Sequence, residues 1–163
     1  MTLFQQTAND LRLSDLYQEV ILDHNKHPRN FGRIDGATHW AHGKNPLCGD
    51  DFFLDLLLDK EGKILKIGFE GSGCAISKAS ASMMTASVTG KSIEEITALK
   101  DSFIHLLTDK TVTQKDTEKV GKLKIFEGVR QFPIRVKCAT LIWRALEEAL
   151  KNTKERKKEI TTE

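Results

Sequence analysis

The stretch DDFFLDLLLD, residues 50–59, constrains the chain more than any other. In an extended backbone Phe52, Leu54, Leu56 and Leu58 fall on one side and Asp51, Asp55 and Asp59 on the other. That is a period of two, which a helix cannot hold on one face. DKEGK follows, with Gly62 placed for a tight turn, and KILKIGFEG then alternates again through Leu65, Ile67 and Phe69. The spacing predicts an antiparallel hairpin with one apolar face. His39, Trp40 and Ala41 are candidates for a short first strand ahead of it.

Helical signals lie on both sides. Ser14 is placed to cap a helix over 15–24, with Leu13, Leu16, Tyr17, Val20, Ile21 and His24 on its apolar face. NKHPRNFGRIDG breaks that helix at Pro28 and Gly32. GSGCAISKASASMMTASVTG begins as a Gly-rich turn and becomes a helix of small residues ending at Gly90. Ser92 with Glu95 forms a capping box for SIEEITALK. Residues 101–131 are charged and read as short helices joined by turns near Thr111 and Gly121. Pro133 starts a long helix reaching Leu150, with a stripe of Cys138, Leu141, Ile142, Ala145, Leu146 and Ala149. KNTKERKKEITTE is polar and reads as a frayed helix end. The expected fold class is α+β, a small three-stranded antiparallel sheet packed by several helices.

At 163 residues, 39% of them hydrophobic, the chain fits one domain with a core of ordinary size. Its 25 basic and 23 acidic residues leave a net charge of +2, too balanced to argue for a nucleic-acid partner. No apolar run has membrane-spanning length. The start, MTLFQQTANDLRL, lacks the basic and apolar regions of a signal peptide. Three cysteines, an odd count and far apart, do not make a disulfide framework. The expected compartment is the reducing cytoplasm, with the thiols free or on a metal.

Each cysteine falls at an element boundary: Cys48 in NPLCGDD before a strand, Cys74 before a helix, Cys138 early in the last helix. A helix N-terminus favours thiolate over thiol, and the thiolate is both nucleophile and metal ligand. Gly49, Gly71 and Gly73 allow backbone to wrap a small site. Cys48 and Asp50 are two apart, so in extended backbone they point to one side. Three thiolates and a carboxylate suit tetrahedral Zn²⁺. The same residues also read without a metal. Cys138 and Cys74 sit among apolar neighbours as small buried side chains, and Asp50 braces the turn. Spacing alone does not decide, because only a fold can bring these positions together.

NPLCGDD, GSGCAISKASASMM, FPIRVKCATLIWRALEEAL and LYQEVILDHNKHPRNFG together resemble the IscU/NifU N-terminal family of iron–sulfur assembly proteins. The resemblance covers residues 14–151 as one domain, leaving 1–13 as an N-terminal extension and 152–163 as a charged tail. Within the family the chain looks like the SufU branch. Lys137 stands where IscU proteins carry a histidine, and Gln131, Phe132, Pro133, Ile134 and Arg135 replace their Leu-Pro-Pro-Val-Lys motif. The resemblance implies zinc on Cys48, Asp50, Cys74 and Cys138. It implies that Cys48 accepts persulfide sulfur from a PLP-dependent, SufS-type cysteine desulfurase, and that the sulfur passes to a SufB-containing scaffold complex. Arg135 and Lys137 flank the third cysteine, as site-tuning or partner-contact residues or as a solvated first turn. Two alternatives use the same thiols. One is a scaffold that assembles a transient [2Fe–2S] cluster, the other a binding module with structural zinc. His24 is expected in the core, His39 and His42 close enough to Cys48 for a role, His105 on the surface, and Met83 and Met84 in the core. QKDTEKVGKLK is expected to be a solvated face.

Overall fold

The computed structural model describes residues 3–151 and 159–162. β1 (His39–Asn45), β2 (Asp50–Leu58) and β3 (Ile64–Ser72) form an antiparallel meander. Phe52, Leu54 and Leu56 are buried as the alternation predicts. β3 departs from it. The register steps from Leu57 opposite Lys66 to Leu58 opposite Ile64, so Leu65 is the extra residue of a bulge. Ile64 therefore joins Ile67 and Phe69 in the core, and Leu65 is 56% exposed. Asp55 also departs from the expected solvent face. It is buried beneath Arg33, whose Nε and Nη2 donate to its two oxygens at 2.7 and 3.1 Å. Along the other side of β3, Gly32 N–H donates to Phe69 C=O and Phe69 N–H to Asn30 C=O.

The sheet has a fourth strand. β4 (Glu159–Thr161) runs parallel to β1, giving the order β3-β2-β1-β4. The expected three-stranded antiparallel sheet is thus four-stranded and mixed, and residues 159–161 form a strand instead of a frayed helix end. Ile160 packs against the core, which gives this otherwise polar segment a reason to return. Thr162 N–H continues the pairing to Lys44 C=O at 2.9 Å. Residues 152–158 of the expected tail lie outside the described residues.

α1 (Leu3–Lys26) starts well before the expected 15–24, with Ser14 inside the helix instead of capping it, because no Pro or Gly interrupts the preceding residues. α2 (Ala75–Val88) stops before Gly90, whose φ of 83° suits glycine. α3 (Ile93–Thr108) opens on the expected Ser92–Glu95 capping box. It runs past residue 100 because Phe103, Leu106 and Leu107 extend its buried stripe. α4 (Gln114–Val120) is capped by Thr113, Gly121–Gln131 follows as 3₁₀ turns, and α5 spans Pro133–Leu150. In QKDTEKVGKLK, Val120 and Leu123 are buried and most of the remainder is exposed.

α5 is the central helix. Trp143 is fully buried and stacks on Phe103 with ring centroids 4.8 Å apart. A Cβ on Gly43 of β1 would lie 3.1 Å from Leu141 Cδ1, so glycine lets α5 ride close on the strand. Ser80 Oγ donates to Ala139 C=O at 2.6 Å and accepts from Trp143 Nε1 at 3.2 Å. These bonds lock α2 to α5 and so place the first turns of the two helices side by side. None of the helices is long and apolar enough to cross a membrane among the described residues.

Candidate metal centre

The site is built where the β1–β2 turn meets those two helix starts. Asn45 and Asp50 are the last register pair of the hairpin, and residues 46–49 turn between them. Cys48 N–H donates to Asn45 C=O at 3.2 Å. Gly49 has a φ of 72° and nothing within 4 Å of a built Cβ, so the requirement for glycine there is in the backbone. Cys48 is half-buried, beside Leu47, which is 65% exposed.

Asp50 is buried, and its carboxylate is held from three sides. Oδ1 accepts from Cys74 N–H and Ser77 O–H, each at 2.9 Å, and Oδ2 accepts from Asn45 Nδ2 at 3.3 Å. Gly73 makes room for this. A Cβ there would stand 2.6 Å from Asp50 Oδ1 and 2.5 Å from Ser77 Oγ. Cys74 is the N-cap of α2, its Sγ accepting Ser77 N–H at 3.4 Å. Cys138 is fully buried on α5 and receives Asn45 Nδ2 at 3.5 Å.

The fold brings together one ligand atom each from Cys48, Asp50 and Cys138, all within 4.8 Å of one another. Cys74 lies next to this group, with its thiol turned to the helix cap. Burial, then hydrogen bonds with Cys48 and Asp50, push the Cys138 thiol far above the usual thiol range. The charge of Cys74, then a hydrogen bond with Cys138, raise the exposed Arg135 guanidinium above its ordinary range. Arg135 thus lies beside the thiols as a cation. The side chain of Lys137 makes no hydrogen bond or ion pair among the described residues, and its C=O accepts from Thr140 and Thr162.

Two thiols and a carboxylate packed this closely repel one another as anions, and a cation relieves that. Two sulfurs and one carboxylate, with Cys74 close by, are donors of the kinds zinc accepts. A second sign is Asn45 Oδ1, the one buried side-chain polar atom without a hydrogen-bond partner among the described residues. Such an atom costs about 1–3 kcal/mol and calls for a reason. The residues present fit a zinc ion.

Sequence reading singled out Cys48, Asp50, Cys74, Cys138 and Arg135 but missed Asn45 and Ser77. The available signal for Asn45 was its place at a strand end ahead of a Pro–x–Cys turn, opposite an aspartate. His42 stacks on Phe53 at 4.0 Å and bonds Asp51, on the face of the sheet away from the thiols. His24 Nδ1 pairs with Ser82 Oγ at 2.7 Å and ties α1 to α2. His39 bonds its neighbour Thr38, and His105 sits between Asp109 and Asp116. Met83 and Met84 are core residues. Beside the site, exposed Phe132 and Ile134 flank the start of α5. A groove of about 1030 Å³ opens next to Arg135, with Tyr17, Ile21, Ile76, Val129 and Phe132 among its lining.

The NifU-like N terminal domain family model matches residues 16–139. A Streptococcus pyogenes protein named iron–sulfur cluster assembly scaffold protein IscU is 43% identical, over 87% of each chain. The zinc-dependent sulfurtransferase SufU of Bacillus subtilis is 42% identical, over 85% of this chain and 91% of its own. A crystal structure from Fervidobacterium islandicum superposes with a TM-score of 0.75 at 36% identity, over 82% of this chain and 95% of its own. It is described as an iron–sulfur cluster assembly scaffold protein for a SUF system.

Proposed function

The chain belongs to the NifU-like N-terminal domain family, the iron–sulfur cluster assembly group that includes IscU and SufU, and on that premise we propose that it is a zinc-dependent sulfur acceptor. Its donor is a SufS-type cysteine desulfurase, its recipient a SufB-containing scaffold complex, and its place the cytoplasm. The unit that acts is the domain 14–151.

The observation that carries this reading is an asymmetry among the four candidate ligands. Asp50 is held by three donors, Cys74 is committed to a helix cap, and Cys138 is buried in a helix. Cys48 and Cys74 are both half-buried, but of the two only Cys48 stands on a turn with no helix cap to serve. A site with three fixed groups and one movable thiol suits handing a sulfur through that thiol.

Zinc on Cys48, Asp50, Cys74 and Cys138 would keep the thiols deprotonated and shielded from oxidation. Cys48 thiolate attacks the outer sulfur of the desulfurase persulfide. The new S–S bond forms on Cys48, the old one breaks, and the desulfurase cysteine leaves as thiolate. Arg135 offsets the negative charge that Cys138, Cys74 and Cys48 share. Leu47, Phe132 and Ile134 offer the incoming partner an apolar rim.

The test is metal content by mass spectrometry of the protein as purified, followed by desulfurase turnover with and without it. About one zinc per chain and a large rise in turnover are expected. Cys48→Ala abolishes persulfide acceptance while zinc is at least partly retained, and persulfide still accumulating on that variant ends the assignment. Iron and sulfide with little change in turnover would indicate the [2Fe–2S] scaffold, and zinc without effect on turnover a structural module.

A further inference from the structure

Asn45 touches Cys48, Asp50 and Cys138. Its C=O takes Cys48 N–H at 3.2 Å, and its Nδ2 reaches Asp50 Oδ2 at 3.3 Å and Cys138 Sγ at 3.5 Å. The side chain is fully buried, and Oδ1 has no partner among the described residues. Turning the amide over would set a carbonyl oxygen against a carboxylate oxygen and take the donor from the thiol. The protein instead keeps the N–H side on the ligands and leaves the carbonyl unpaired, at a cost that packing alone does not explain. Asp50 supports this. Its Oδ1 is occupied by two bonds of 2.9 Å, whereas Oδ2 takes only the longer one from Asn45. Oδ2 is therefore the oxygen with capacity for a cation, and Asn45 aims it.

We propose that Asn45 is a positioning residue of the metal centre: its side-chain amide N–H sets Asp50 Oδ2 and Cys138 Sγ as two fixed ligands, and its backbone carbonyl ties the Cys48 turn to the same point. Donation to Cys138 draws charge from that sulfur, so the thiol that reacts is Cys48. The second half rests on the sulfur-acceptor reading, whereas the metal-binding half does not.

The test uses the full chain, stripped of metal and titrated with Co²⁺, as wild type, Asn45→Ala and the near-isosteric Asn45→Asp. Thermal unfolding of each metal-free protein checks the fold. Both variants should bind Co²⁺ about tenfold or more weakly, with a shifted thiolate-to-cobalt absorption band. In an Asp50→Ala background the effect of Asn45→Ala should be smaller than in the wild type, because the Asn45–Asp50 contact is already gone and only the one to Cys138 remains. Wild-type affinity and spectrum in both variants overturn the proposal, as does a loss that only tracks the unfolded fraction. Should Asn45→Ala fail to fold, Asn45→Asp decides by the same criteria. A wild type that binds cobalt through thiolates yet takes no sulfur defeats the functional reading and leaves the positioning role standing. Sulfur uptake and cobalt binding unchanged in the Asn45 variants defeat the positioning role alone.

Discussion

The sheet has two hairpin turns, each with an aspartate at its base and a glycine at positive φ. At 59–63, Asp59 closes its own turn, Oδ1 accepting from Glu61 N–H at 2.8 Å and Lys63 N–H at 2.9 Å. Gly62 has a φ of 84°. At 46–49 the glycine is similar, Gly49 with a φ of 72°, but Asp50 gives nothing to its own turn. It accepts from Cys74 and Ser77 on the next helix and from Asn45 across the ladder. One turn is self-contained and only joins two strands. The other is closed by Cys48 N–H to Asn45 C=O and sends its carboxylate inward, to the start of α2. The two turns differ in where the carboxylate goes.

The comparison can be broken most severely at the aspartates. Asp50→Ala should lower zinc affinity at least about tenfold, read by competition with a chromophoric chelator. Next is Gly73→Ala. The added methyl meets Asp50 Oδ1, Ser77 Oγ and Phe52 Cε2 at under 3 Å, so stability should fall by about 1–3 kcal/mol in urea unfolding and metal affinity with it. Gly49→Ala and Gly62→Ala should each cost about 1 kcal/mol, because each forces alanine to a positive φ without a severe clash. Only the Gly49 change should also slow sulfur uptake, which separates backbone strain from function. The smallest effect is expected of Asp59→Ala, about 0.5–1.5 kcal/mol of stability with zinc binding unchanged.

What was legible in the sequence follows the range of the interaction. The β2–β3 hairpin, the Ser92–Glu95 box, the end of α2 at Gly90 and the start of α5 at Pro133 all rest on neighbours within a few residues, and they stand where the pattern puts them. The cysteines and Asp50 could be named as candidates because their residue types are scarce and placed at boundaries. Their grouping could not, since it depends on Ser80 and Trp143 locking two helices far apart in the chain. Asn45 and Ser77 were invisible for the same reason: a polar residue shows its role only once its partners are in place. Leu65 and Asp55 misled the reading because a bulge and a distant arginine override simple alternation. β4 was missed because its pairing with β1 leaves no local trace.

That fourth strand has a consequence for how another protein can meet this one. An uncovered strand at a sheet's side is a template on which foreign chains add by backbone pairing. Here residues 159–162 lie along one flank of the meander, and Asn30 and Gly32 bond to the other at Phe69. Strand addition on β1, or at Phe69 of β3, would first have to peel away pairing already made within the chain. What stays open on the β1 flank is the outer side of β4, three residues long, and so short an edge is a weak template for a foreign strand.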